Sequence, residues 1–544
     1  MVLKFQRTLS ASSAAVALFA VGLHGTAQAF DFQFLATPPS PFTANCNGTP
    51  QTGTLYPNAE VEPTISVNPR NPLNLIGVWQ QDRWSNGGSQ GLGTGFSFDG
   101  GITWQQRYQP ISRCAGGNAS NNGDYARASD PWITFSPNGV AHFMSLSVSG
   151  TAFEADGLSA MLATRSTDGG RTWSQPITLV RDAGETLFND KNSITADPTD
   201  SRYVYAIWDR LNINGGGPTL LARSIDNGVS WQPTRPIYDP GPDKQTIGNL
   251  IVVLPSGIVV NFFTQIDQIT GASFFAVIRS TDKGQTWSQP VKIADDMSIG
   301  TKDPETGAAV RDGAGIGSIA VGKNGQLYAV WADSRFSGGV RDGIALSSSQ
   351  DGGLTWLAPK QINRAPNNAP AFTPTVHVRY DGVVGVTYYD FRSNTTDPAT
   401  LPTEHWLTRS SDGGKTWRES RVGKQFDLAT APVARGLFLG DYQGLTSIGP
   451  IFVPFFAKTT GDLNNRNDIF STLAISLRRN ADSGNSLQIA KEEEAKLPAV
   501  AATEEATPMQ MTPELKKQMG LKNKLLMQRR VDKWAETVKM PFGQ

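Results

Sequence analysis

Ser166-Thr167-Asp168-Gly169-Gly170-Arg171-Thr172-Trp173 is one of six copies of a single pattern, Ser-x-Asp-x-Gly-x-Thr/Ser-Trp. The others begin at Ser97, Ser224, Ser280, Ser349 and Ser410, at offsets of 69, 58, 56, 69 and 61 residues. A loose period of that length suits one four-stranded sheet plus variable loops. The residue types describe a tight turn between two strands. Ser and Asp side chains accept hydrogen bonds from nearby backbone N–H groups, and the Gly at position five permits a positive φ. The closing Trp is expected as an apolar plug that buries about 150–250 Å².

Working outward, each box is preceded by the same layout. A short apolar strand opens at Pro63, Pro131, Ser193, Asn249, Ser318 or Pro374, a turn such as Ser136-Pro137-Asn138-Gly139 follows, and then a second strand such as Leu327 to Trp331. A seventh opening, Gln443-Gly444-Leu445-Thr446-Ser447-Ile448, lacks the box, and the seven openings are spaced 68, 62, 56, 69, 56 and 69 residues apart. The chain therefore reads as all-β, a seven-bladed β-propeller over residues 30–479. The seventh unit supplies only three strands, so an exposed edge would remain. Phe30-Asp31-Phe32-Gln33-Phe34-Leu35, with its period-two alternation, is the expected donor of the fourth.

The eight-residue pattern is that of the Asp-box, or BNR, repeat, and the chain resembles the sialidase-like β-propeller families over about residues 60–475. The resemblance implies an exported glycoside hydrolase of sialidase type, acting on sialylated or other acidic glycans, with a six-bladed propeller as the alternative architecture. It also implies three arginines for the substrate carboxylate, a Tyr nucleophile assisted by Glu, and an Asp acid/base. The stretch where such families carry an Arg-Ile-Pro motif is here Val61-Glu62-Pro63-Thr64, without that arginine. The same propellers also host non-catalytic binding of glycans or protein partners, and polysaccharide lyases.

Residues 1–29 read as a signal peptide, with Lys4 and Arg7 basic, 14–23 apolar, and Ala27-Gln28-Ala29 at the cleavage site. The expectation is a secreted or periplasmic protein. Lys and Arg total 48 and Asp and Glu 48, so no basic bias suggests nucleic acid, and no later apolar run approaches bilayer length. Cys46 and Cys114 are the only cysteines and are expected to form a disulfide tying the N-terminal segment to the first repeat. Residues 480–511 read as a solvated linker, and 512–544 as a short helical tail that could engage a partner.

The box joins the third and fourth strands at one face, so the loops after the second strands and the entries to the first strands lie at the other. After the second strands come Asp82-Arg83, Asp209-Arg210, Asp333-Ser334-Arg335 and Asp390-Phe391-Arg392. Arg83, Arg210, Arg335 and Arg392 are candidates to grip a carboxylate, or else braces within each blade. At the strand entries lie Glu62, Asp130, Asp190-Lys191-Asn192, Asp312 and Asp441-Tyr442. Tyr442 is the candidate nucleophile, with Asp441, Glu62 and Asp130 as acid or base. His377 is the candidate base of a lyase. No metal-ligand spacing is visible and no cofactor is expected, although a loop such as 303–312 could hold a structural calcium.

Overall fold

The computed structural model describes residues 32–474; the expected signal peptide, linker and helical tail lie outside them. Within that span the chain is all-β, interrupted only by 3-10 turns. Strand pairing groups it into seven consecutive four-stranded antiparallel units. The first comprises Val61–Asn68, Asn71–Trp84, Ser89–Ser97 and Gln105–Tyr108. The innermost strands of the next five are Arg127–Phe135, Leu187–Ala196, Lys244–Val253, Ser318–Val321 and Ala371–Val378. The seventh begins with Gly444–Ile448. Each innermost strand packs beside the next, and the seventh beside the first, so the units follow one another around a common axis as a β-propeller. One rung, Ser89 opposite Ala128, joins the first two ladders.

The fourth strand of the seventh unit is Phe34–Leu35, antiparallel to Asn465–Ser471 with Phe34 opposite Ser471 and Leu35 opposite Phe470. It is shorter than the six-residue strand expected. Phe32 and Gln33 continue its course through side-chain bonds, Thr472 Oγ1 donating to Phe32 O at 2.8 Å and Lys458 Nζ to Gln33 Oε1 at 2.7 Å. Cys46 and Cys114 form the disulfide, which holds the N-terminal segment to the first unit.

Each box shares three bonds, Ser Oγ to Asp Oδ1, Gly N–H to Ser Oγ and Thr or Ser N–H to Asp Oδ1, and the indoles of Trp104, Trp173, Trp287 and Trp417 also donate to a Gly carbonyl. In the second copy Ser166 Oγ donates to Asp168 Oδ1 (2.8 Å), Gly170 N–H to Ser166 Oγ (2.9 Å), Thr172 N–H to Asp168 Oδ1 (2.9 Å), and the Trp173 indole to Gly170 O (3.1 Å). Asp282 in the fourth copy shows the electrostatic result. Against a burial cost that would raise it, hydrogen bonds from Thr286, Ser280 and Gln285 hold its carboxyl at about 2.

The tryptophans differ from expectation. Trp173 and its counterparts are only half-buried, because the box is a surface turn and the indole caps the edge of its sheet. The fully buried indoles are Trp79, Trp208 and Trp331, on second strands between neighbouring units. Trp208 packs among Leu146, Ile194, Ala206 and Leu220, and each buried indole has a hydrogen-bond acceptor, Gln81, Asn189 and Asp333 respectively.

This ranking is testable. Trp208→Ala should cost about 3–5 kcal/mol in urea denaturation, and the half-exposed Trp173→Ala roughly half that or less. A greater loss at Trp173 than at Trp208 would reverse the assignment of the core.

Candidate functional site

The axial residues are positioned by a bulge repeated at the entry of the innermost strands. Register slips between Val61 and Thr64, Ser129 and Trp132, Asp190 and Ser193, Ile247 and Leu250, and Phe372 and Thr375. Within each slip one residue adopts left-handed backbone: Glu62 (φ 55°), Asp130 (51°), Lys191 (47°), Gly248 (68°) and Thr373 (49°). In the fifth and seventh units Ile316 and Tyr442 stand two residues before the first paired position, in the corresponding place. A bulge re-aims a side chain out of the alternating pattern, and non-glycine residues with positive φ mark stored strain. The strain is held by bonds between units. Asn192 Nδ2 donates to Asp130 O (2.9 Å), Gln443 Nε2 to Thr373 O (2.7 Å), and Glu62 N–H to Leu439 O (3.1 Å).

The ring is polar on one arc, Tyr442, Glu62, Asp130 and Lys191, and small or apolar on the other. Lys191 Nζ lies 2.6 Å from Asp441 Oδ2, 3.6 Å from Glu62 Oε1 and 3.8 Å from Asp130 Oδ2. Arg311, which the sequence reading passed over beside Asp312, forks onto Asp441. Its Nε donates to Oδ1 at 2.9 Å and its Nη2 to Oδ2. Gln80 Nε2 donates to Glu62 Oε2, while Gln80 Oε1 accepts from Arg83 Nη1 at 2.7 Å. The Phe438 ring packs against both guanidinium groups, at 5.1 Å from Arg83 and 4.3 Å from Arg311. Arg435, also missed, is exposed beside this cluster with left-handed backbone (φ 64°).

Burial pushes the Glu62 carboxyl up to about 7, with Lys191 opposing and the neighbouring acids assisting. Asp441 is buried too, but Arg311 and Lys191 hold it well below the usual carboxylate range. Burial, then Glu62, Asp130 and Asp441, drives the Tyr442 phenol far up. Burial and the charge of Arg311 lower Arg83 to about 10, and the charge of Arg311 lowers the exposed Arg435 likewise.

The four arginines expected to share a rim do not form a set. Arg210 forks onto Asp182 of the preceding unit, at 2.8 Å from each oxygen. Arg335 binds Asp333 (2.7 Å), which also accepts the Trp331 indole N–H (2.6 Å). Arg392 binds Asp390 (2.6 Å) and Glu419 (3.1 Å) with its guanidinium 3.6 Å above Trp406. The reason is local. A carboxylate that accepts a buried indole or lies between strands has lost its water and takes the nearest arginine. Arg83 alone of the four belongs to the axial cluster.

His377 is hydrogen-bonded to Ser447 Oγ (2.9 Å) towards the far end of its strand, and burial holds it neutral at about 4. The acids of the 303–312 loop cap backbone instead of facing one another: Asp303 accepts from Glu305 N–H (2.9 Å) and Asp312 from Ala314 N–H (3.0 Å). Among the described residues no group of three or more His, Cys, Asp or Glu is arranged to hold a metal ion. Among them, too, no helix is long and apolar enough to cross a membrane.

Residues 203–421, from the second strand of the third unit to the last strand of the sixth, match the family model described as a BNR repeat-like domain. That span, 219 of the 544 residues, contains four of the six boxes. Solved structures similar to it include a Hadza microbial sialidase (15% identity over 75% of this chain and 74% of that one, TM-score 0.42). A Penicillium chrysogenum alpha-L-arabinanase complexed with arabinobiose is 13% identical over 65% and 95% (TM-score 0.39). Trypanosoma rangeli sialidase in complex with the inhibitor DANA is 13% identical over 62% and 53% (TM-score 0.39). Likeness at this level says nothing about substrate.

Two outcomes follow for the propeller. Arg335→Ala and Arg392→Ala, each stranding a buried carboxylate, should lose about 2–4 kcal/mol, whereas Arg435→Ala should stay within about 0.5 kcal/mol of the parent. Equal melting of all three would remove the distinction between brace and open cation. The second concerns pH. The folded state keeps a proton on Glu62 up to about 7, while the unfolded chain releases it near 4.3. Stability should therefore fall as pH rises between those values, by at most about 4 kcal/mol, and level off above. Glu62→Gln should abolish that part of the stability–pH curve; an unchanged slope would mean that Glu62 is ionised throughout.

Proposed function

We propose that the chain is an exported glycoside hydrolase acting on acidic glycans at its axial cluster. The observation that carries this reading is the Tyr442 hydroxyl. It is out of contact with solvent and has no hydrogen-bond partner, and it is influenced by Glu62, Asp130 and Asp441 in that order. A phenol among carboxyl groups can serve as the nucleophile of glycoside hydrolysis. Glu62, with its carboxyl at about 7, suits the general acid that protonates the leaving oxygen, because an acid must hold its proton at the working pH. Asp130 is the base that receives the phenolic proton. Asp441 keeps Lys191 and Arg311 in place, and Arg435 with Arg311 gives an anionic sugar its guanidinium contacts. The N-terminal basic and apolar run supports export, to a secreted or periplasmic location.

A second reading, a non-catalytic propeller that binds acidic glycans, is favoured by one observation. The axial cavity measures about 40 Å³, less than a sugar ring needs, and Glu62, Asp130 and Asp441 are almost wholly buried. In that case the ligand rests on the mouth beside Arg435 and no bond is cleaved.

Incubation with a fluorogenic sialoside and a panel of acidic polysaccharides separates the two. The hydrolase reading expects turnover that declines as pH rises through about 7, loss of turnover in Tyr442→Phe, and a fall of roughly 100-fold or more in kcat for Glu62→Gln. Affinity for the glycan should be little changed in both variants. Binding of an acidic glycan with no product from any member of the panel establishes the second reading.

A further inference from the structure

The axial cavity is lined by Lys191, Asn192, Gly248, Ile316, Asp441 and Tyr442 among others. Three buried polar atoms in or beside it lack a hydrogen-bond partner: Tyr442 Oη, Asn192 Oδ1 and Asp130 Oδ2. Buried polar groups are nearly always satisfied, and one left bare is destabilising. Tyr442 and Asn192 line the cavity, and Asp130 Oδ2, outside the lining, stands 3.8 Å from the Nζ of Lys191, which lines it. Two are pure acceptors and the third is a phenol, so the ligand must donate hydrogen bonds. The Lys191 ammonium repels a cation, and an acceptor-rich wall repels an anion. About 40 Å³ admits about two waters. Gly248 lines the cavity with positive φ, and a Cβ there would stand 3.4 Å from Cγ2 of Ile316, another lining residue.

We propose that the axial cavity is a built water site, holding about two ordered waters that link Tyr442 Oη to Asp130 Oδ2 past Asn192 Oδ1, and that Tyr442 loses its proton along this path. This role rests on the hydrolase reading; the water site itself does not. The step balances. The Tyr442 O–H bond breaks, the first water takes that proton and passes one of its own onward, and a new O–H bond forms at Asp130 Oδ2. Phenolate and neutral carboxyl are the products, and each water is restored. Direct transfer has no route, because Tyr442 Oη touches no acceptor. Both Glu62 oxygens are already engaged, one by Gln80 and the other by Asp441 N–H (3.3 Å) and Lys191.

A high-resolution crystal structure of the full chain tests the site. Density for water is expected within about 2.7–3.2 Å of Tyr442 Oη and Asn192 Oδ1; a dry cavity, or a side chain occupying it, overturns the proposal whatever the activity. Gly248→Ala tests the path, since its methyl group intrudes on the waters. It should lower kcat at least 10-fold with KM nearly unchanged and reduce the solvent deuterium isotope effect, while Arg202→Ala, at an exposed side chain, should leave the isotope effect alone. Waters present but kcat and isotope effect unmoved in Gly248→Ala refute the proton path and leave the hydrolase intact. Waters present with no turnover of any glycan refute the hydrolase reading and the path together, and leave the water site standing.

Discussion

The fold depends on one ammonium group. Lys191 stands among Asp441, Glu62 and Asp130, residues that belong to the entries of the third, seventh, first and second units, and Arg311 at the entry of the fifth shares Asp441. Five of seven units thus meet in one charge cluster on the axis. Removing three carboxylates from water is expensive, and their mutual repulsion adds to the cost. Lys191 and Arg311 offset it only while every unit holds its angle, so the cluster sets the radius of the ring at its narrow end. The left-handed bulges serve that constraint, for without them the side chains of 62, 130 and 191 would follow the alternation of their strands.

Much of this was legible in the sequence because it rests on local chemistry. Six boxes name their own turns, and the spacing of the openings places the innermost strands before any coordinate is seen. The acids at the strand entries could be found because each precedes an apolar run. Arg311 and Arg435 could not. Their importance lies in where two long entry segments cross, Val310–Arg311 lying parallel to Leu437–Phe438, and a pairing across more than a hundred residues leaves no periodic trace. Arg210, Arg335 and Arg392 were conspicuous for the opposite reason. A repeated acid and arginine after a buried aromatic is the mark of a brace required in every blade, and repetition by position argues for structure. The box tryptophans were misjudged because indole size was taken for depth, whereas a surface turn can bury only one face of a ring.

Matched and unmatched polar groups are placed at different radii. Towards the outside, indole, carboxylate and guanidinium form closed triads such as Trp331, Asp333 and Arg335, in which donors and acceptors are matched. At the axis the matching is incomplete, and Tyr442 Oη and Asp130 Oδ2 are left over. Those two valences are what a small polar guest can answer.

The seam between Phe34 and Ser471 has a consequence for the life of the chain. The two residues are 437 positions apart, and closing a loop of that length costs about 5 kcal/mol of chain entropy before any contact is returned. No nascent chain that stops short of Ser471 can close the ring. Until then the molecule is an open arc with a bare edge at each end, free to pair with another arc. The ring becomes a single object only when Asn465–Ser471 arrives beside Phe34–Leu35, so two segments made far apart in time work as one strand pair.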